Sequence, residues 1–168
     1  SIDKAPHRFH ARHDAVSRCY LYQISRRRTA FGKPFVWWIR EPLDLDAMRH
    51  AAQAFLGRQD FAAFSDDDPD EKSTVVVLER LELVEAGALI LVRVQGSHFL
   101  WKMVRRIVGV LAAVGRGEMK PANAAELLRG RPRVGGATPA ELTAPAAGLF
   151  LERVSYEGDP APGPVRPV

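Results

Sequence analysis

The sequence predicts an α+β fold in which helices pack on one face of a mainly antiparallel sheet. Two observations predict it. The first is the order along the chain of stretches with strand-like alternation and stretches with helical spacing of apolar residues. The second is a pair of strand-like stretches joined by a short turn, which is typical of an antiparallel hairpin. The 168 residues suffice for one domain that buries about two thirds of its unfolded surface.

The composition is that of an ordinary globular protein, with 46% hydrophobic and 26% charged residues. The longest apolar run, residues 107–114, is too short to span a bilayer, and residues 1–6 lack the apolar core of a signal peptide. The single cysteine, Cys19, excludes an internal disulfide and suits a reducing compartment. These features predict a cytoplasmic protein.

The first elements are two strands, predicted over residues 18–24 and 34–39. The loop between them carries three consecutive arginines, Arg26, Arg27 and Arg28. Such a run either lies over a phosphate backbone or forms a solvated turn, and the pattern alone favours neither. A helix follows, with Asp44 as N-cap, a stripe of apolar residues through Leu56, and Gly57 as the stop.

Residues 66–71 hold five acids and predict an exposed loop. They lack the spacing of a calcium loop, so a bound cation is the less favoured interpretation. The hairpin then spans residues 74–85 and 88–95, with its turn at residues 86–87.

The strongest helical pattern covers residues 99–114, and a second helix, opened by Pro121, covers residues 122–129. A basic connector over residues 129–136 precedes the last strand, residues 149–156. The tail, residues 157–168, holds four prolines and is predicted to be disordered, which leaves residues 1–156 as the folded domain.

Two groups of side chains are candidates for function. Alternation along the first strand puts Arg18, Tyr20 and Tyr22 on one face, where a tyrosine could stack on an extruded nucleobase beside a cation that holds phosphate. The alternative is that both tyrosines are core or interface residues, and the pattern alone favours this alternative.

The second group lies on the long helix, where Lys102, Arg105 and Arg106 share one face. An arginine on a mostly buried helix needs a carboxylate or phosphate partner. The alternative, a solvated polar stripe, is favoured by the pattern alone. Three small residues on the same face, Gly109, Ala112 and Ala113, leave room for close approach of a strand or ligand.

Charge is strongly segregated along the chain. Residues 1–40 carry nine Lys/Arg and two Asp, residues 41–100 carry five Lys/Arg and twelve Asp/Glu, and residues 101–168 carry ten Lys/Arg and six Asp/Glu. Basic flanks of this kind could face a polyanion, or the charges could be solvated without a partner. Neither the histidines nor Cys19 shows metal-ligand spacing, so no metal site is predicted.

Three segments, taken in order, resemble the C-terminal half of the TruA family of tRNA pseudouridine synthases over about residues 9–156. They are Phe9-His10-Ala11-Arg12 with Ala15, Arg18, Tyr20 and Tyr22; Phe99 with Met103 to Gly109; and Gly148 to Leu151 with Val154 and Tyr156. The helix near Asp44 and the following residues 57–64 also match.

The resemblance implies a pseudouridine synthase-like fold and isomerisation of uridine in the tRNA anticodon arm, without a cofactor. It implies that Tyr20 stacks on the flipped uracil, that Arg105 pairs with the catalytic aspartate, and that Leu149 lines the base pocket. It also implies a homodimer.

Seven basic residues are predicted to contact the RNA from their charge and placement. They are Arg12, Arg18, Arg26, Arg27, Arg28, Lys102 and Arg106.

The chain departs from the family's pattern at one point, because the catalytic aspartate of the family lies in a G-R-T-D-A-G-type motif before the segment at Phe9, and no such motif is present here. Neither Asp3 nor Asp14 has the context of that aspartate. We therefore expect half a site, completed by an N-terminal half. The alternatives are a natural half-protein that binds RNA without isomerising it, and a dimerisation module that uses Trp37, Trp38 and Trp101.

Overall fold

One sheet carries the strands of the described part of the chain. The computed structural model describes residues 5, 7–68, 73–131 and 136–168. The strands and helices are β1 (Ser17–Ser25), β2 (Trp37–Trp38), α1 (Leu45–Ala52), β3 (Gly57–Asp60), β4 (Val75–Ala86), β5 (Leu89–Gly96), α2 (Met103–Gly115), α3 (Ala122–Leu128) and β6 (Leu149–Ser155). The predicted α+β class with a mainly antiparallel sheet is confirmed.

Strand β1 organises the sheet. The strand order is β2-β1-β5-β4-β3, and β6 also pairs with β1. All pairings are antiparallel except the short parallel one between β1 and β2. In this register Tyr20 pairs with Val94 of β5 on one side and with Leu151 of β6 on the other. The backbone of Tyr20 is therefore held by two neighbouring strands.

The core lies between one face of the sheet and the helices. Alternation along β1 directs Tyr22 and Ile24 into a hydrophobic cluster that includes residues of β4, β5 and all three helices. Every residue of α2 is buried except Arg105. Arg105 is half-buried and marks where α2 meets an opening in the core.

Helix α1 begins as predicted and ends earlier. The Asp44 side chain caps it by accepting a hydrogen bond from the backbone N–H of Ala47 at 2.9 Å. The helix ends at Ala52, a 3-10 turn follows over Gln53–Phe55, and Gly57 opens β3 with a φ of +80°. The prediction that Gly57 is the helix stop is therefore wrong, and β3 is an element that the pattern did not predict.

The second predicted strand is much shorter in the structure. A 3-10 turn occupies Lys33–Phe35, and only Trp37–Trp38 pair with β1. Pro34 accounts for the turn because its ring restricts φ and it has no N–H to donate to a sheet. The predicted hairpin is confirmed as β4 and β5, with its turn at residues 87–88.

The long helix starts at Met103 and not at Phe99, because Lys102 adopts a left-handed conformation with a φ of 64°. A helix cannot pass through such a residue. Helix α3 and strand β6 lie within one residue of their predicted bounds. Of the predicted basic connector, residues 132–135 lie outside the described residues.

The opposite face of the sheet is covered by the tail. Arg93, whose exposure is 3%, pairs with Glu152 and donates a hydrogen bond of 2.7 Å to the carbonyl oxygen of Gly163. The N–H of Val168 donates to Oε1 of Gln23 at 3.0 Å. These contacts contrast with the disorder that the prolines of residues 157–168 predict. The division at residue 156 stays a prediction.

Within the described residues, no helix has both the length and the apolar character needed to cross a membrane.

Candidate active site

A cavity of about 370 Å³ opens where α2 meets β1 and the segment before β6. It is lined by Tyr20, Asp67, Phe99, Leu100, Trp101, Lys102, Met103, Val104, Arg105, Ala146 and Leu149. The three residues to which the family resemblance assigns site roles, Tyr20, Arg105 and Leu149, are thus brought together although they are far apart in the chain. The lining is mostly apolar with a few polar groups, as is typical of ligand sites.

Tyr20 forms one wall of this cavity. Its half-buried ring meets the ring of Phe99 edge to face, with 5.0 Å between centroids and 82° between planes. An edge-to-face contact is a favoured geometry between aromatic rings and orients the ring of Tyr20 in the cavity wall. A planar base that enters the cavity can therefore meet an oriented aromatic side chain.

Tyr22, two residues further along the same face, has a different role. It is fully buried, and its hydroxyl donates a hydrogen bond of 2.8 Å to the carbonyl oxygen of Pro145. Burial raises the pKa of Tyr22, and the nearby Arg105 lowers it by a smaller amount. Tyr22 is thus the core residue that one interpretation of the pattern predicts, while Tyr20 lines the cavity.

Arg105 is held by the segment that closes the cavity. Its Nε donates a hydrogen bond of 2.6 Å to the carbonyl oxygen of Ala144, and the N–H of Ala144 donates one of 3.0 Å back to the carbonyl oxygen of Arg105. No carboxylate in the described part of the chain forms an ion pair with this guanidinium. Its terminal nitrogens can therefore receive an anion from outside these residues.

Gly109 allows the close contact between Arg105 and Ala144, because it has no side chain. A Cβ at Gly109 would lie 1.7 Å from the carbonyl oxygen of Leu142 and 2.7 Å from its carbon. Only glycine allows residues 142–144 to pass so close to α2, one turn after Arg105.

Lys102 and Arg106 both pair with Asp66. The distance from Lys102 Nζ to Asp66 Oδ2 is 2.6 Å, and Nη2 of Arg106 contacts Oδ1. Lys102, with Arg106, holds the pKa of Asp66 below its ordinary value. Arg106 is 5% exposed, so its buried guanidinium pairs with a carboxylate whose side chain is 39% exposed, and it does not lie on a solvated stripe. The solvated stripe that the pattern alone favoured is therefore wrong for Arg106, and the anion that the other interpretation requires is Asp66.

The remaining predicted RNA contacts differ in their surroundings. Arg18 donates hydrogen bonds to two backbone carbonyl oxygens, that of Ser97 at 2.9 Å and that of Arg12 at 2.5 Å. Arg12 itself is exposed. Arg26 pairs with Glu85 at 3.0 Å. The other two loop arginines are exposed. They are Arg27 and Arg28.

Seven lining residues were not predicted as site residues: Asp67, Phe99, Leu100, Trp101, Met103, Val104 and Ala146. Oδ2 of Asp67 accepts a hydrogen bond of 2.8 Å from the N–H of Trp101, so the acidic loop forms part of the cavity wall. The acid run in the sequence marks this loop but does not indicate its neighbour. No cluster of three or more potential metal ligands occurs in residues 7–68, 73–131 or 136–168.

The comparisons with known proteins agree on one family. A family model described as tRNA pseudouridine synthase matches residues 51–157. The chain is 39% identical over 150 residues to tRNA pseudouridine synthase A of Paramagnetospirillum magneticum, covering 88% of this chain and 57% of that protein. It is 41% identical over 153 residues to that of Syntrophotalea carbinolica, covering 90% and 59%. It is 38% identical over 158 residues to that of Thermotoga maritima, and the match covers 92% of this chain and 62% of that protein.

This chain belongs to the tRNA pseudouridine synthase family. It spans about three fifths of the length of the curated relatives that it matches.

Proposed function

We propose that this chain supplies the uridine-binding part of a tRNA pseudouridine synthase, and that an N-terminal half supplies the catalytic aspartate. One observation carries the proposal: Tyr20, Arg105 and Leu149 line the same cavity, and Arg105 has no carboxylate partner in the described part of the chain. Since a half-buried guanidinium is stabilised by an anion, the cavity is suited to receive a carboxylate from another part of the protein.

Each residue has a proposed role. Tyr20 stacks on the uracil after the base has left the RNA stack, and Leu149 supplies an apolar contact on the cavity wall. Arg105 pairs with the incoming aspartate and keeps it ionised and oriented. In the reaction the glycosidic C–N bond breaks, a bond between the sugar carbon and C5 of the base forms, the proton on C5 is released to solvent, and N1 takes up a proton. The family resemblance indicates that no cofactor takes part.

The proposed substrate is the anticodon arm of tRNA. Five of the predicted contacts are exposed: Arg12, Arg26, Arg27, Arg28 and Lys102. Of these, Arg26 and Lys102 each also pair with one carboxylate, that of Glu85 and that of Asp66. Arg18 and Arg106 are more buried and have partners among the described residues, so their proposed contribution is to position their neighbours. Phosphate contacts of this kind carry most of the affinity and little sequence information.

A binding or dimerisation module without catalysis is the second candidate function. It is favoured by the exposure of two large tryptophans, Trp38 at 41% and Trp101 at 66%. Exposed tryptophans of this size are frequent at interfaces between proteins.

The experiment is tritium release from tRNA labelled at uracil C5, measured for residues 1–168 alone and for the protein completed with an N-terminal half. We expect release only from the completed protein, and tRNA binding by both. If the completed protein binds tRNA and releases no tritium, the non-catalytic module is correct. If residues 1–168 alone release tritium, the nucleophile lies in this chain, and Asp14 and residues 66–70 are the first candidates.

A further inference from the structure

A second cavity, of about 430 Å³, lies next to the candidate active site. Pro145 and Ala147 line this second cavity, while Ala146 between them lines the first. One short segment therefore separates the two openings. If one unit of a polymer enters the first cavity, the neighbouring units of that polymer lie close to the second cavity.

The second cavity is supported from the core. Trp37 lines it and meets the buried ring of Tyr22 edge to face, with 6.3 Å between centroids and 89° between planes. The hydroxyl of Tyr22 in turn donates to the carbonyl oxygen of Pro145 on the wall between the cavities. The buried Tyr22 thus contacts two residues that line the second cavity, Trp37 and Pro145.

An exposed aromatic ring and a cation form the opening. Trp38 is 41% exposed, and the guanidinium carbon of Arg28 lies 5.5 Å from the centroid of its ring. This is within the distance at which a cation is attracted to an aromatic face. Trp38 stands on the short edge strand β2, so the backbone of the sheet holds it in place.

The charge of the second cavity is positive. Arg28 and Lys33 line it, and no carboxylate is among its lining residues. A concave site with an accessible aromatic ring and two cations is complementary to a ligand that has a flat ring and a phosphate. Nucleotides of a single strand have both, and proteins that bind such strands combine the same two features.

We propose that this second cavity binds a further nucleotide of the same RNA strand, with its base on Trp38 and its phosphate beside Arg28 and Lys33. The inference rests on the proposed function, because it takes the strand from the uridine in the first cavity. It adds a site that holds the RNA open next to the reacting base. A second copy of the chain, which the exposed tryptophan would also suit, is an outcome of the test.

The test measures the affinity of the completed protein for tRNA, with variants at Trp38. We expect Trp38→Ala to weaken binding roughly five- to hundred-fold, the range for loss of one base stacked on an aromatic side chain. Trp38→Phe retains a ring and is expected to restore most of the affinity. Phe31→Ala is the matched control. Phe31 lies in the loop between β1 and β2, is 95% exposed, and lines neither cavity. Arg28→Gln is expected to reduce the slope of the logarithm of tRNA affinity against the logarithm of salt concentration by about one, the value for loss of one phosphate contact.

Two results would overturn the inference: unchanged affinity in Trp38→Ala, or dissociation of a dimer by Trp38→Ala and not by Phe31→Ala in sedimentation at several concentrations. If the wild-type protein forms no pseudouridine while Trp38→Ala still weakens RNA binding, the nucleotide site stands and the proposed function fails.

Discussion

Arg105 and Ala144 exchange two hydrogen bonds, one from the side chain of Arg105 to the carbonyl oxygen of Ala144 and one from the N–H of Ala144 to the carbonyl oxygen of Arg105. The pair joins α2 to the segment that leads into β6. Its geometry depends on Gly109, whose missing side chain admits residues 142–144. The orientation of the candidate active-site arginine is therefore set by a backbone contact one helical turn away.

Gly109→Ala is expected to disturb this contact. The added Cβ would lie 1.7 Å from the carbonyl oxygen of Leu142, so the segment must move away from α2. Overpacking of this kind costs about 1–3 kcal/mol of unfolding free energy, which urea denaturation measures. The control is Gly163→Ala, where a Cβ would meet nothing within 4 Å. Equal urea midpoints for Gly109→Ala and the wild type would show that the close approach is not needed.

Substitutions at Tyr20 test whether its ring stacks on the uracil, as proposed. If the ring carries the interaction, Tyr20→Phe keeps kcat/KM for tRNA near the wild-type value, and Tyr20→Ala lowers it roughly five- to hundred-fold. The measurement is the rate of tritium release at several tRNA concentrations, in the completed protein. An equal loss in both variants would contradict stacking as the main role, because it would mean that the hydroxyl takes part in the chemistry.

Some of the fold could be predicted from sequence because local patterns reflect it. Strand β1 and the hairpin show alternation, and α1 has its capping aspartate. Strand β3 was missed because Gly57–Asp60 has no apolar alternation and is held by its pairing with β4. The start of α2 was missed because the helical spacing of apolar residues continues through Lys102, whose left-handed backbone has no signal in that pattern.

The candidate site was less predictable from the residues themselves. Periodicity puts Arg105 on a helix and Tyr20 on a strand, but only tertiary packing brings them to the same cavity as Leu149. The resemblance to a known family supplied that grouping. The pairing of Arg106 with Asp66 shows the same limit, because helical spacing indicates that a buried arginine needs an anion and cannot indicate which one.

Asp66→Asn is expected to destabilise the fold, because it leaves the buried Arg106 without its anionic partner. The pKa of Asp66 lies below its ordinary value of 3.8 in the folded protein, so the stabilisation is present above that value and is lost as the pH falls through the folded pKa. The variant is therefore expected to have a lower urea midpoint at pH 7, and a smaller loss of stability on acidification.

The matched control for Asp66 is Asp46→Asn, which removes an exposed carboxylate paired with Arg49 on the surface of α1. An exposed pair contributes little, so its midpoint is expected to stay near the wild-type value. A similar midpoint shift in both variants would mean that Asp66 acts as one more surface charge.

Cys19 makes the fold sensitive to alkali. Burial, followed by the hydrogen bond and negative charge of the neighbouring Glu152, raises the pKa of its thiol from 9.0 to about 12. Between these two values the unfolded chain loses a proton that the folded chain keeps, so stability falls as the pH rises, by at most about 1.4 kcal/mol per pH unit for one thiol. Urea midpoints between pH 8 and 11 are expected to decline less in Cys19→Ala. If the urea midpoints of the wild type and of Cys19→Ala decline in parallel, Cys19 is not the origin of the alkali sensitivity. The remaining group would be Tyr22, whose pKa is also raised and which is present in both proteins.

We predict that Arg105 acts on the chemistry and not on RNA binding. The direct test is Arg105→Ala in the completed protein, with tritium release from C5-labelled tRNA and tRNA affinity measured on the same preparation. We predict that release falls below detection while affinity stays close to that of the wild type, because Arg105 orients the aspartate and the exposed basic residues hold the RNA. A loss of affinity as large as the loss of rate would contradict the account and make Arg105 a phosphate contact.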